Sequence, residues 1–343
     1  LDDNSFSSNG ESITIDEEAI CRNLICTNST PGGILSSPAV YLNVHGNMEL
    51  AEGSNYGLTL LDFRGTSNHT IITNGSMPTI AGGSIAFHGT GTYTLMDGFE
   101  TGDIRLWAGT LNTNDYDVTC SNRFSFNGSV AKHLILGNTT LTCSDFRYYS
   151  TQGVSLTAGT STIVCGQFNG AADLMLTYHD IVFTNESIAF QGGGFFNSVD
   201  ITETQSGYIR FSAGANYHID ALIGGQGTRN SSYRFYTDIE GQEATIHTAN
   251  GSVALEYVEI QDIHATGGAT FTIDNAVDLG NNSGWNMTEL EPLTLYWVNN
   301  GGDWEDASHW SDTSGGLPNV NIFPSKYDDA IFDANSFSMV AQT

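Results

Sequence analysis

Basic residues are scarce in this chain: 10 Lys and Arg stand against 38 Asp and Glu in 343 residues, a formal net charge of −28. Nucleic acid is thereby disfavoured as a partner, because neutralising phosphates needs clustered Lys and Arg, and here they stand singly. Proline is equally sparse, at six residues, and no stretch carries helical periodicity. The longest apolar runs fall far short of a bilayer span, so this stretch is expected to make no membrane insertion. No signal peptide is visible at Leu1. The five cysteines lack the C-x-x-C spacing of a zinc or redox site. Nine histidines, His45, His88, His133, His179, His218 and His264 among them, are dispersed.

What is present is Gly, Ser, Thr and Asn, with apolar residues in short alternating runs such as Thr92-Tyr93-Thr94-Leu95-Met96 and Ser161-Thr162-Ile163-Val164-Cys165. Gly-Thr, Asn-Gly and Gly-Gly pairs punctuate them, the signature of strands and turns. Between Ile104 and Cys165 the runs recur in step. Cys120, Cys143 and Cys165 are 23 and 22 residues apart, each preceded two positions earlier by Val118, Leu141 or Ile163. Leucines Leu106, Leu134 and Leu156 stand three positions before Gly109, Gly137 and Gly159. Phe63-Arg64-Gly65-Thr66 and Phe87-His88-Gly89-Thr90 give a similar 24-residue step.

Recurrence at this step, on strands that alternate inward and outward, is what a parallel β-helix produces. The expected fold is all-β: a right-handed parallel β-helix (solenoid) over 1–286, a linker at 287–295, and a small aromatic-rich β element over 296–343. At a strand spacing of about 4.8 Å, roughly twelve rungs make a rod on the order of 60 Å long. The cysteines then form one inward column and Val118, Leu141 and Ile163 the next. Cys21 and Cys26, five apart, would point to opposite faces and are poor partners for each other. Ten N-x-S/T sequons, Asn28, Asn138 and Asn286 among them, mark candidate glycosylation positions, although a chain rich in Asn, Ser and Thr meets this pattern by composition alone.

The two ends match. Phe332-Asp333-Ala334-Asn335-Ser336-Phe337-Ser338 repeats Leu1-Asp2-Asp3-Asn4-Ser5-Phe6-Ser7 in register. This makes the chain read as one period of a tandem array, with Asn4, Ser5, Phe6, Asn335, Ser336 and Phe337 at the junction between units. A start inside a repeat also means that the missing signal says nothing about localisation. Crowded carboxylates near the ends, Asp2, Asp3, Asp328, Asp329 and Asp333, are candidate ligands for a divalent cation, calcium being the natural one.

The C-terminal texture is distinctive: Tyr296-Trp297-Val298-Asn299-Asn300-Gly301-Gly302-Asp303-Trp304, then Ser308-His309-Trp310-Ser311, Ser314-Gly315-Gly316, Pro318, Pro324 and Asp328-Asp329-Ala330-Ile331-Phe332-Asp333-Ala334-Asn335-Ser336-Phe337. It resembles the recurrent Tyr-Trp-Val-Gly-Gly-x-Gly-x-Trp … His-Trp-Ser … Asp-Asp-x-x-Phe-Asp-x-Asn-Ser-Phe element of very large, repetitive surface proteins of gliding and related bacteria, many of them secreted adhesins. Asn299-Asn300 replace the favoured Gly-Gly, and Leu1 replaces the usual aromatic. The resemblance implies an extracellular, cell-surface, non-enzymatic polymer that takes neighbouring copies end to end as partners, and surface glycans as possible ligands. Virion fibres share the β-helix texture.

Trp297, Trp304 and Trp310, at spacings of seven and six, suit a packed aromatic cluster, with a sugar-stacking platform as the sharper alternative. An enzyme acting on polysaccharide would need convergent carboxylates, or a basic residue beside an acidic cluster. Arg105, Arg123, Arg147, Arg210 and Arg234 are read as lacking acidic partners at rung spacing, and Tyr148-Tyr149, Phe195-Phe196 and Tyr233 as unclustered.

Overall fold

The computed structural model describes residues 12–27, 33–36, 40–52, 55–77, 79–171, 173–202 and 207–337. Parallel strands wind through about 11 turns of a β-helix, and the one helical turn among the described residues is a 3-10 turn at Ala307–His309.

A middle rung shows how the sequence closes a turn. The strand Thr140–Tyr148 is long enough to cover two faces, because the ladder slips between Cys120 and Arg123 of the strand before it and bends there. The short strand Val154–Thr157 makes a third face. Glycines set the corners. Gly137 and Gly159 each have φ 61°, and a Cβ on Gly159 would lie 2.3 Å from the Gly137 carbonyl oxygen, so stacked corners admit only glycine there.

Inward residues stack by type. On the first face Val118, Leu141, Ile163 and Ile181 form one column, and Cys120, Cys143, Cys165 and Phe183 the next. The expected columns are therefore present, and these cysteines are buried. On the second face Ile104, Phe124, Phe146, Phe168, Phe190 and Phe211 align. The rings of Phe124, Phe146 and Phe168 stack in turn, at 5.5 Å and 5.4 Å, and Phe190 then meets Phe168 edge-on. Phe63 and Phe87 also pair in register, confirming the earlier step.

The leucine series needs correction. Leu134 aligns with Leu156 on the third face, but their partner on the preceding rung is Leu111, and Leu106 lies on the second face against Phe126. The reason is local: Gly109 opens the strand Gly109–Asn112, whereas Gly137 follows the strand Lys132–Ile135. The same Leu-x-x-Gly phrase thus occupies two different corners.

The rod also runs further than its expected boundary. Asn286–Glu289 is a last strand paired with Thr270–Asp278, and Leu290 N–H donates to Ala276 O. Leu295 already belongs to the small element's core with Trp297 and Trp310, which leaves only a few residues as connector.

Cys21, Cys120, Cys143 and Cys165 are free thiols. Burial pushes the Cys143 thiol up to about 12 and raises Cys120 and Cys165 well above the usual value, and a thiol kept protonated does not alkylate. Iodoacetamide at mildly alkaline pH is expected to modify half-buried Cys21 first and slowly, and the cysteine column only after denaturant is added. Peptide mass spectrometry checks this, and rapid labelling of Cys143 in the native chain would contradict the column.

Candidate binding sites on the rod

Three places on the molecule gather polar chemistry. The first is the C-terminal element, where most of the candidate residues lie. Trp310 is fully buried, Trp297 nearly so, and Trp304 is 46% exposed. Trp310 meets Trp297 edge-on at 5.1 Å and Trp304 at 4.9 Å. The tryptophans are thus one packed cluster with Trp304 at its rim. Indole N–H groups find carbonyls, Trp310 donating to Trp304 O at 2.8 Å and Trp297 donating to Asn300 O.

Asp328 is buried, and both carboxylate oxygens are taken. One accepts from Arg229 Nη1 at 2.5 Å and from Leu293 N–H, the other from the N–H and hydroxyl of Ser325. These bonds hold Asp328 below its usual range against the opposing effect of burial. Asp329 is exposed. Asp333 accepts from the Ser314 hydroxyl and from Asn335 N–H in a turn. Among the described residues no group of three or more His, Cys, Asp or Glu is placed to hold a metal ion; Asp2 and Asp3 lie outside the described residues.

The junction residues divide likewise. Asn4, Ser5 and Phe6 lie outside the described residues. Ser336 is buried, its carbonyl accepting from Asn300 N–H and its hydroxyl from Asp333 N–H. Asn335 donates to the Ser314 hydroxyl, and Phe337 stacks on Phe332 at 6.5 Å. Residues 332–337 of the second copy are therefore an integral turn of the tryptophan element. That element is latched to the rod by the Arg229–Asp328 pair, by Lys326 on Glu259 at 2.6 Å, and by Asn230 donating to Phe323 O.

The second place is the outward side of the second face, where the expectation that the arginines lack acidic partners is overturned for Arg105, Arg123 and Arg147, while among the described residues Arg234 bonds Gln261 and lies over the Tyr236 ring. Asp145 accepts from Arg123, one rung back, at 3.0 Å and from Asn169 at 2.9 Å, and the Arg147 guanidinium forms an ion pair with it at 2.9 Å. Asp103 takes Arg105 and Asn122, and Asp62 takes Arg64 and His88. Arg123 lies directly opposite Asp145 in the ladder, 22 residues away, whereas Arg105 and Arg147 each meet a carboxylate two positions earlier on their own strand. Burial would lower the Arg123 pKa, but the Asp145 hydrogen bond and nearby negative groups raise it. Arg123 and Arg147 also flank the ring of Tyr149 at 5.6 and 5.5 Å.

The third place went unseen in the sequence. The third face ends at Val154–Thr157, the last strand of its sheet, and a cleft of about 310 Å³ opens between that end and the strand Gly194–Asp200. Tyr178 and Phe196, stacked at 5.2 Å, close its inner side. Its wall is an outward column in which Phe195 aligns with His218 and His218 with His247. Phe195, 41% exposed, lies parallel on His218 at 4.5 Å.

Polar groups surround that ring. Asp180 accepts from Asn197 Nδ2 at 2.8 Å and from the Ser198 hydroxyl at 2.6 Å, and His179 Nδ1 lies 3.0 Å from its other carboxylate oxygen; these contacts lower its pKa although burial opposes them. Exposed Asn197, Asp220 and Thr177 complete the lining. Burial, and then the neighbouring His247, lower the His218 pKa, with Asp220 opposing, so this imidazole is neutral at neutral pH. The only sequence signal for the cleft is Phe195 and His218, 23 residues apart, and they are unlike residues.

Compared with known proteins, the chain matches no family model, no curated protein and no solved structure.

Proposed function

We propose that the chain is a structural and adhesive module of a large extracellular filament, joined end to end to neighbouring copies, and that it does no chemistry on what it touches. The observation that carries this reading is the state of its carboxylates. Glycoside hydrolysis needs a carboxylic acid whose pKa is raised, and lyase chemistry needs a basic residue able to give up its proton. Among the described residues every carboxylate with a perturbed pKa is moved downward instead: Asp180, Glu259, Asp306, Asp312, Asp328 and Asp333. The Asp145 cluster holds two guanidiniums in place, and Arg123 is made a weaker acid there.

A rod of stacked rungs with a latched terminal element suits display and spacing, since each rung supports only its neighbours and length can grow by repetition. The phrase that folds into the tryptophan element at 332–337 recurs in the sequence at 1–6, which supports a chain built from repeated units. Brief protease treatment of intact producing cells tests the setting. Loss of the chain's epitope while a cytosolic marker survives is the expected result, and an epitope protected until lysis would overturn it.

A further inference from the structure

We infer that the cleft beside Phe195 binds a neutral pyranose unit of a glycan chain, with the Phe195 ring as stacking platform and Asn197, Asp220, His179 and Thr177 as hydrogen-bonding rim. This deepens the adhesive reading and rests on it for the extracellular setting, while the binding itself is read on the purified chain.

The chemistry selects the ligand. The C–H groups of a sugar ring's apolar face carry partial positive charge and lie well against the negative face of an aromatic ring. Phe195 is held for this contact: His218 backs it at 4.5 Å and 20°, and its strand is pinned on one side by Phe195 N–H to Leu176 O and Tyr178 N–H to Phe195 O and on the other by pairing with the His218 strand. Leu156 and Ala158, at the end of the third face, supply an apolar opposite wall. At about 310 Å³ the cleft sits at the small end of ligand sites, which run from about 300 to 1,000 Å³.

Hydroxyl groups need acceptors and donors at the rim. Asn197 and Asp220 stand side by side on adjacent rungs, between the Phe196–Ile219 and Ser198–Ala221 pairs. Asn197 is oriented by its bond to Asp180, which leaves its amide oxygen for the ligand. A uronate or sulfated sugar is disfavoured here, because Asp220 lines the cleft, Asp180 stands behind Asn197, and no guanidinium is among the lining residues. The arginines lie elsewhere, around Asp145.

Titration calorimetry and saturation-transfer NMR on the whole chain test this, with cellohexaose, mannohexaose and laminarihexaose as neutral probes and an oligogalacturonate as the acidic one. At least one neutral probe is expected to bind, and Phe195→Ala to weaken it about tenfold or more, the loss of one well-stacked aromatic contact being about 1.4 kcal/mol. Asn197→Ala, an exposed change that leaves the platform, should weaken the same probe, while Trp304→Ala should not. The inference is overturned if no neutral probe binds the folded chain, if Phe195→Ala binds unchanged, or if the oligogalacturonate binds more tightly than every neutral probe. A chain that binds the neutral probe but is protected from protease on intact cells would keep the cleft and sink the surface setting.

Discussion

Replacing Phe146 with alanine is expected to cost the rod about 3–5 kcal/mol, the range for removing a buried aromatic from a core that cannot close over the cavity. Phe146 is fully buried, stacked between Phe124 and Phe168 and met edge-on by Phe126, Tyr148 and Tyr178. Its neighbours cannot collapse inward, because each is fixed on a strand paired on both sides. In a solenoid the weakened rung also uncouples what lies on either side, so the urea transition should broaden or split as well as shift. Phe195→Ala, on the solvent side of a comparable strand, should change stability by no more than about 1 kcal/mol. A loss below about 1 kcal/mol at Phe146, with the single transition kept, would contradict the stacked core.

Asp328→Asn is the second large effect, and it should strike the C-terminal element while sparing the rod. The substitution leaves the Arg229 guanidinium, 11% exposed, without its counter-charge, and removal of one partner of a buried pair costs about 3–5 kcal/mol. Limited proteolysis should then cut in the short connector between Leu290 and Thr294, and the fluorescence of Trp297 and Trp310 should shift red before the rod unfolds.

Acid should mimic the mutation. Asp328 and Glu259 are held below their ordinary values of 3.8 and 4.5 by their partners, overcoming burial. Their stabilisation is therefore complete above those values and is lost as pH falls through the lower folded-state values. Lys326 is raised above 10.5 by its hydrogen bond to Glu259, so its share is complete below 10.5 and is lost as pH rises through the higher folded-state value. The latch should hold across the whole range between. Release of the element near neutral pH in the unmodified chain would refute this account of it.

The columns that could be read in advance are those in which one residue type recurs on the same face at a 22- to 24-residue step: Cys120, Cys143 and Cys165, with Val118, Leu141 and Ile163 beside them, and Phe63 with Phe87. Burial selects residue type, so stacked equivalents resemble one another. Leu106 misled because Leu-x-x-Gly fits two corners of the rung, and only the hydrogen-bond register separates them. The Arg123–Asp145 pair and the Phe195–His218 platform were not legible for a different reason. Outward positions are free to differ from rung to rung, and what joins them is contact between unlike groups. The turn at Asp333–Ser336 was visible as a repeated phrase, but its place within the tryptophan element depends on Asn300 and Ser314, which are distant in sequence and not periodic.

Holding a glycan and cutting one differ in what becomes of the polymer, and one measurement separates them. The purified chain is incubated with neutral polysaccharides, polymer length is followed by size-exclusion chromatography and new reducing ends by colorimetry, alongside retardation of the chain in gels containing the same polymers. The account predicts retardation that Phe195→Ala abolishes, with polymer length and reducing ends constant over time. Progressive shortening of the polymer by the unmodified chain, suppressed by Asp180→Asn or Asp220→Asn, would contradict it.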